Sequence, residues 1–289
     1  MAGDGRRWKL LDLLQEASGF LDSRGLDGAR LEAELLLAAA LGVRRLDLYL
    51  QFDRILAAAE VEAFRGFVRQ RLAGRPSQYI TGEAGFRLLD LHVDDSVLVP
   101  RPETELLVEE ALTFLADAPP GPVLDLGCGS GAIAIAIARE HEGVRVVASD
   151  LSHAALVLAR RNARRHGLED RIRFVCGDLC APLGARRYRA VLCNPPYIAT
   201  ADLETLEPEV RDHEPRLALD GGPDGLDLIR RVAGTILPHL EPGGRLFLEI
   251  GARQAEEASR LVRDAGFGEP EMRPDVAGLP RLIIAAAPS

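Results

Sequence analysis

Long apolar runs are missing from this 289-residue sequence. The longest uninterrupted ones, Leu35 to Leu41 and Ala132 to Ala138, span seven residues each, far short of the roughly 20 that a membrane-spanning helix needs. Behind Arg6, Arg7 and Lys9 there is no apolar stretch long enough for a signal peptide, so a cytoplasmic protein is expected. Cysteine is scarce. Cys128, Cys176, Cys180 and Cys193 form no C-x-x-C pair, and three of the four lie in or beside strand-like apolar segments, where reduced, buried thiols are expected. The six histidines show no H-x-x-x-H or H-E-x-x-H spacing, so no metal site is expected. Basic charge is also short, 35 Lys and Arg against 44 Asp and Glu for a net −9. The first 75 residues are nearly balanced, with 12 basic and 11 acidic side chains, so the deficit falls beyond them. A nucleic-acid enzyme needs a basic footprint to displace counterions, and none shows in these totals. What is present is 47% apolar and 27% charged sequence, enough for a sizeable core and too apolar for disorder.

Residues 1–75 read as helices only. Leu10, Leu11, Leu14 and Ala17 follow one helix face, Leu31 to Leu41 is apolar almost all round, and Val61, Phe64, Val68 and Leu72 make a third stripe. Gly74 and Pro76 end the pattern. A small helical bundle with a structural or docking role is expected there. From Gln78 to Val99 the pattern turns strand-like, with turn residues at Gly82, Gly85 and Asp94-Asp95, and residues 76–99 read as a β-hairpin linker. Pro102 suits the first turn of a following helix, with Glu103 and Glu105 near its positive end and Leu107, Ala111, Phe114 and Leu115 on its buried face.

Residues 100–289 then alternate strand and helix. Strands are predicted at Val123–Leu126, Arg145–Ser149, Ile172–Cys176, Arg189–Cys193, Arg245–Ile250 and Arg281–Ala286, and helices at Ser152–His166, Leu226–Leu240 and Ala252–Ala265. Ala132–Ala138 alternates with period two, but its alanine content and the preceding glycine loop make it a helix. The class is α/β, a mostly parallel sheet with helices on both faces.

The stretch from Val123 to Gly131 is a strand entering a tight turn and then a helix. Gly127, Gly129 and Gly131 allow close backbone approach to a ligand. Asp150 ends the next strand, 23 residues after Gly127, where a carboxylate accepts both hydroxyl hydrogens of a ribose. Together they predict an adenosine-type cofactor at the carboxyl ends of the strands. Gly127-x-Gly129-x-x-Ala132 also matches the dinucleotide fingerprint, so a nicotinamide cofactor stays open. Asp125 favours a methyltransferase, in which an acid at this strand end faces the cofactor's amino-acid part. Gly177-Asp178-Leu179 stands where methyltransferases of this class contact adenine, although such turns are common.

Asn194-Pro195-Pro196-Tyr197 follows the fourth strand. Neither proline has an N–H for the ladder. They stiffen the chain and leave carbonyls free, while the Asn194 oxygen adds an acceptor and Tyr197 a flat ring. Two acceptors suit a planar NH2 group: they hold both its hydrogens and aim the nitrogen lone pair, and alignment alone can lower a barrier by several kcal/mol. The bland alternative is a rigid turn that merely ends a strand.

With these residues the chain resembles the protein-(glutamine-N5) methyltransferases of peptide chain release factors, the HemK-like family. The resemblance rests on Gln78 to Gly82, Val97 to Glu105 with its Pro-Arg-Pro-Glu-Thr-Glu segment, Asp125 to Ala132, Asn194 to Ile198 and Glu214 to Gly222. It implies a seven-stranded class I methyltransferase sheet behind an N-terminal helical, substrate-docking domain. S-adenosylmethionine would be held by Asp125, Gly127, Cys128, Gly129, Ser130, Gly131, Asp150, Asp178, Leu179 and Asn194. The substrate glutamine of a Gly-Gly-Gln motif would be held by Asn194 and the Pro195 carbonyl, with Pro196 and Tyr197 shaping the slot. Some members carry an aromatic residue in place of Leu179, which puts adenine stacking there in doubt. Release factors are the implied partners, with no direct nucleic-acid or membrane contact and a monomer as the default. Arg101, Glu103 and the turn from Asp220 to Gly225 have ordinary structural readings as well, and Glu249 reads as either a group behind the site or a solvated strand end. Two other functions remain in view: an RNA or DNA amino methyltransferase with the same tetrapeptide, and a non-catalytic S-adenosylmethionine-binding factor that docks on the translation machinery.

Overall fold

The structure, a computed structural model, describes residues 7–288, so Arg6 and the start of the 1–75 segment lie outside the described residues. The chain divides into two compact units. One joins the described residues up to Gly82 with Pro208–His213; the other holds Glu83–Glu207 and the described residues from Glu214 onwards.

The smaller unit is helical: α1 (Leu10–Ser23), α2 (Ala29–Leu41), α3 (Arg45–Tyr49), α4 (Ala58–Leu72) and α5 (Ser77–Thr81). Helix α1 buries Leu10, Leu13, Leu14, Ala17 and Leu21, a stripe in which Leu13 rather than Leu11 completes the face. Helix α2 is one-sided, not buried all round: Leu36 and Leu37 are fully buried, while Leu31 is exposed. Glu34 is buried in the same helix and is satisfied by Arg30, Arg45 and the Tyr49 hydroxyl. The expected strand at Gln78–Thr81 is helix α5. Pro76 stands at its N-cap and Gly82, at φ 75°, closes it in the left-handed region, so a proline start and a glycine stop outweigh the strand-like residues between them. Among the described residues, Pro208–His213 comes from far along the chain and is tied here by Arg71, which pairs with Glu32 at 2.8 Å and Glu209 at 2.7 Å.

The larger unit opens with a hairpin of β1 (Glu83–Phe86) and β2 (Leu89–His92), followed by α6 (Thr104–Asp117). The hairpin turn residue Arg87 has φ 50°, and its N–H donates to Glu105 Oε1 at 2.8 Å. Alternation follows: β3 (Val123–Leu126), α7 (Ala132–Glu140), β4 (Val146–Asp150), α8 (His153–Arg165), β5 (Ile172–Cys176) and β6 (Tyr188–Cys193). Pro208–His213 counts as α9, and the chain ends through α10 (Asp227–Ile236), β7 (Leu240–Glu249), α11 (Ala255–Asp264), β8 (Glu271–Pro274) and β9 (Pro280–Ala286). The expected helix Leu226–Leu240 stops earlier, at Ile236, ahead of a 3-10 turn around Pro238, because proline cannot donate to the helix. Strand β8 was not among the six expected. It is short, polar and only partly covered, so it carries no apolar alternation to read.

The seven strands lie in the order β5-β4-β3-β6-β7-β9-β8, parallel except that β9 runs antiparallel to both its neighbours. Every residue of β3 is buried, as a central strand covered on both faces requires. One core packs α6, α7, α8 and the hairpin against the sheet, and the other packs α10 and α11 against the opposite face. All seven residues of Ala132–Ala138 are buried in α7, which explains why no one-sided helical period was visible. From β3 the chain winds out to β5 and then returns to β6 on the other side of β3. The crevice opened by such a reversal is where α/β sheets bind ligands.

Candidate active site

The register of that reversal builds the site. Leu126 of β3 pairs with Cys193 of β6, so the glycine loop and Asn194 leave neighbouring strands at one level. They open onto a cavity of about 740 Å³ at the carboxyl edge of the sheet.

The loop is held from below. The N–H groups of Gly127 and Cys128 both donate to the Ser149 carbonyl, at 2.8 and 2.9 Å, and Gly131 N–H donates to the Cys128 carbonyl at 2.8 Å. Gly127 and Gly129 have φ of 78° and 51°, and a Cβ on either would meet nothing within 4 Å. The chain is bent there by left-handed residues and faces open space, a cradle suited to a close-lying ligand. Gly131 plays another part. It caps α7 at φ 83°, and a Cβ would lie 3.1 Å from Ala159 Cβ, so its smallness allows α7 and α8 to approach. Cys128 and Ser130 line the cavity although both are buried, and burial holds the Cys128 thiol well above its usual pKa. Of the other cysteines, Cys180 and Cys193 are buried, whereas Cys176 is exposed, contrary to the expectation for its strand.

Asp150 ends β4 at the cavity wall. Its Oδ2 accepts from Gly129 N–H and its Oδ1 from Ser152 N–H, both at 2.8 Å. A carboxylate has about four acceptor positions, so each oxygen keeps capacity for a ribose hydroxyl. Asp125 lies beneath the cavity rather than in its lining. It is wholly buried, accepts from Ala134 N–H in the first turn of α7 at 3.0 Å, and its Oδ1 has no partner among the described residues. Burial, aided by the nearby Asp150 charge, raises its pKa to about 7. Asp178 and Leu179 both line the cavity. The Asp178 carboxylate pairs with Arg231 at 2.7 Å. Leu179 sits at φ 47°, a left-handed setting that costs an ordinary L-residue roughly 1–2 kcal/mol.

Across the cavity, Asn194, Pro195 and Pro196 are in the lining and Tyr197 is not. Asn194 Nδ2 donates to Thr104 Oγ1 at 3.0 Å. No hydrogen bond reaches the carbonyls of Pro195 or Pro196 among the described residues, while the Tyr197 carbonyl accepts from Gln254 Nε2 at 2.9 Å. The Tyr197 ring packs against the core that holds α10 and α11, and burial pushes its hydroxyl up to about 12. The segment after the prolines is pinned to the Glu214–Gly222 stretch: Ile198 N–H donates to the Leu219 carbonyl at 3.1 Å and Gly221 N–H to the Ile198 carbonyl at 2.8 Å. Gly221 is tight, since a Cβ there would lie 2.8 Å from the Pro196 carbonyl oxygen. Arg101 joins this wall by pairing with the buried Glu214 at 2.5 Å.

Two residues at the site, Asn162 and Thr104, had no assigned role in the sequence, and Glu249 had two readings. Asn162 of α8, fully buried, donates to the Ser130 carbonyl at 2.9 Å and so steadies the glycine loop. Its only sequence signal is an amide inside an otherwise apolar stripe. Thr104 is buried in the cavity lining beside Asn194, and Glu249, buried at the end of β7 next to the strand that leads into Asn194, lies behind the lining and is not a solvated strand end.

A family model described as the PrmC N-terminal domain matches residues 12–82, and one described as the methyltransferase small domain matches residues 102–218. A release factor glutamine methyltransferase of Geobacter sulfurreducens is 45% identical over 276 residues, covering 96% of each chain. One of Chlorobaculum tepidum is 43% identical, covering 95% of this chain and 96% of the relative. Among solved structures, a methyltransferase from Pyrococcus furiosus matches with a TM-score of 0.53 at 18% identity, over 71% of this chain and 92% of that one. The sheet order and this likeness define a class I methyltransferase fold. Within that class the full-length relatives are specific: the chain belongs to the release factor glutamine methyltransferases. No helix among the described residues is long and apolar enough to cross a membrane.

Proposed function

We propose that this chain transfers a methyl group from S-adenosylmethionine to the side-chain amide nitrogen, N5, of the glutamine in the Gly-Gly-Gln motif of peptide chain release factors, and so modulates translation termination. The observation that carries this reading is the placement of Asn194 and the unpartnered Pro195 carbonyl across one cavity from the glycine loop and Asp150. Bound there, S-adenosylmethionine supplies an electrophilic methyl group on a sulfonium.

The residues divide the remaining work. Gly127 and Gly129 admit the cofactor close to the main chain, Asp150 takes its ribose hydroxyls, and Asp178 and Leu179 border its base. Asn194 Oδ1 and the Pro195 carbonyl each accept one N–H of the substrate amide. That grip holds the amide plane and turns the nitrogen towards the methyl group, which counts because an amide lone pair is otherwise delocalised. Phe86, Leu98 and Ile133 in the lining help exclude water. A strong base is not needed, since the nitrogen becomes acidic on methylation and then releases its proton.

The helical segment within residues 1–75 is the proposed docking element for the release factor, residues 76–99 the linker and residues 100–289 the catalytic part. We place the protein in the cytoplasm, acting as a monomer and without nucleic acid. Tandem mass spectrometry of a release factor incubated with the enzyme and S-adenosylmethionine tests the reaction. One methyl on the Gly-Gly-Gln glutamine supports it, and a methyl elsewhere or none refutes it.

A further inference from the structure

Three elements converge at Asn194. Cys193 of β6 pairs with Leu248 of β7, so Asn194 and Glu249 follow at the same level on adjacent strands, and Thr104 enters as the first residue of α6. The Glu249 side chain is only 1% exposed. The neighbouring Thr104 and Tyr197 side chains hold its carboxyl down, and its Oε2 has no partner among the described residues. Thr104 Oγ1 in turn lies 3.0 Å from Asn194 Nδ2.

We propose that Glu249 is a positioning residue which, through the Thr104 hydroxyl, fixes which end of the Asn194 side-chain amide faces the cavity. This deepens the function proposed above and rests on Asn194 binding a substrate amide.

The logic is one of donors and acceptors. An ionised carboxylate only accepts. Thr104 has one hydroxyl hydrogen, and giving it to Glu249 leaves Oγ1 with lone pairs alone. Only the NH2 end of Asn194 can then meet Oγ1, so Oδ1 must face the substrate. A flipped amide would set oxygen against oxygen at Thr104 and NH2 against NH2 at the substrate. Steric fit cannot make this choice, because the two ends of the amide are nearly the same size. A protonated Glu249 reverses the chain: it donates to Thr104, whose hydroxyl then turns to Asn194 and stabilises the flipped amide.

The charged and titratable groups around Glu249 are Arg281 of β9, Glu103 beside Thr104, Tyr197 after β6, and Cys193. Burial, the largest effect, and Glu103 raise the carboxyl, while Thr104, Arg281 and Tyr197 lower it, leaving it at about 7. The ionised form is the productive one, so turnover falls as pH drops below that value.

The test is single-turnover methyl transfer to a release factor by the full chain and its Thr104→Val, Thr104→Ser and Glu249→Gln variants, with cofactor affinity measured by calorimetry. The proposal expects Thr104→Val and Glu249→Gln to slow transfer ~10-fold or more while S-adenosylhomocysteine affinity stays unchanged, and Thr104→Ser to recover most of the rate. It also expects the acid limb near pH 7 to disappear in Glu249→Gln. Wild-type rates in Thr104→Val, equal loss in Thr104→Ser and Thr104→Val, or an unaltered acid limb would each overturn it. If Glu249→Gln fails to fold, the Thr104 pair decides by itself. A wild-type chain that transfers nothing sinks the proposed function and this inference together, whereas active wild type with unaffected variants sinks the inference alone.

Discussion

Asn162 of α8 makes a reciprocal pair of hydrogen bonds with the main chain of His92: its Oδ1 accepts from the His92 N–H at 2.7 Å and its Nδ2 donates to the His92 carbonyl at 2.9 Å. The same Nδ2 also reaches the Ser130 carbonyl at 2.9 Å. One buried amide therefore staples the end of β2 to the glycine loop, and the shape of the cofactor cradle depends on a residue that does not line the cavity. Replacing it by leucine leaves main-chain groups of His92 and Ser130 without this partner, at about 1–3 kcal/mol for each buried group left unsatisfied. Asn162→Leu is expected to lower the melting temperature and also weaken S-adenosylhomocysteine binding. Unchanged calorimetric affinity would restrict Asn162 to a purely structural part.

Asn194→Ala removes one of the two proposed acceptors for the substrate amide and leaves the glycine loop and Asp150 in place. Loss of a single aimed hydrogen-bonding group in a transition state costs on the order of 10²–10³ in kcat. The expected result is a loss of that order with cofactor affinity nearly unaltered. Measured turnover within a few-fold of wild type would remove Asn194 from the chemistry.

Asp150→Ala acts on the other side of the cavity. It deletes the ribose acceptor and also strips Gly129 N–H and Ser152 N–H of their partner. Hydrogen bonds to charged groups are worth about 1.5–3 kcal/mol, which converts to a roughly 10-fold or greater loss of cofactor affinity. Calorimetry with S-adenosylhomocysteine reads it directly, and full affinity would contradict the ribose role.

Asp125 predicts a pH effect on stability. Its pKa is raised in the folded chain to about 7 by burial, against about 3.9 when unfolded. The native state therefore holds the proton more tightly, so the carboxyl stabilises the fold below the unfolded pKa and loses that contribution as pH rises through 7. Three pKa units correspond to on the order of 4 kcal/mol. Asp125→Asn keeps an oxygen for Ala134 N–H and cannot ionise. Its melting temperature relative to wild type is expected to be higher at pH 8 than at pH 5; a difference independent of pH would show that Asp125 does not titrate in this range.

Local chemistry made much of this site readable in the sequence. Gly127, Gly129 and Asp150 advertise themselves because a glycine turn and a strand-end acid are short-range patterns, and Asn194-Pro195-Pro196-Tyr197 is contiguous. The same directness failed at Gln78–Thr81, where Pro76 and Gly82 decide for helix over strand-like side chains, and at β8, whose four residues are held by pairing with β9 rather than by an apolar pattern. Pro208–His213 could not be assigned to the helical unit, because its tie runs through Arg71 far along the chain. Thr104 escaped, and Glu249 stayed between two readings, for a related reason. Their importance comes from meeting Asn194, and the three are brought together only by strand order and by the angle at which α6 enters. Asn162 was hidden inside the apolar stripe of α8.

The most direct test of the central claim offers the enzyme labelled S-adenosylmethionine together with a purified release factor or its Gly-Gly-Gln Gln→Ala variant. The account predicts label on the unmodified factor and none on the variant. Equal label on both, or label on neither while cofactor binding is intact, would contradict it.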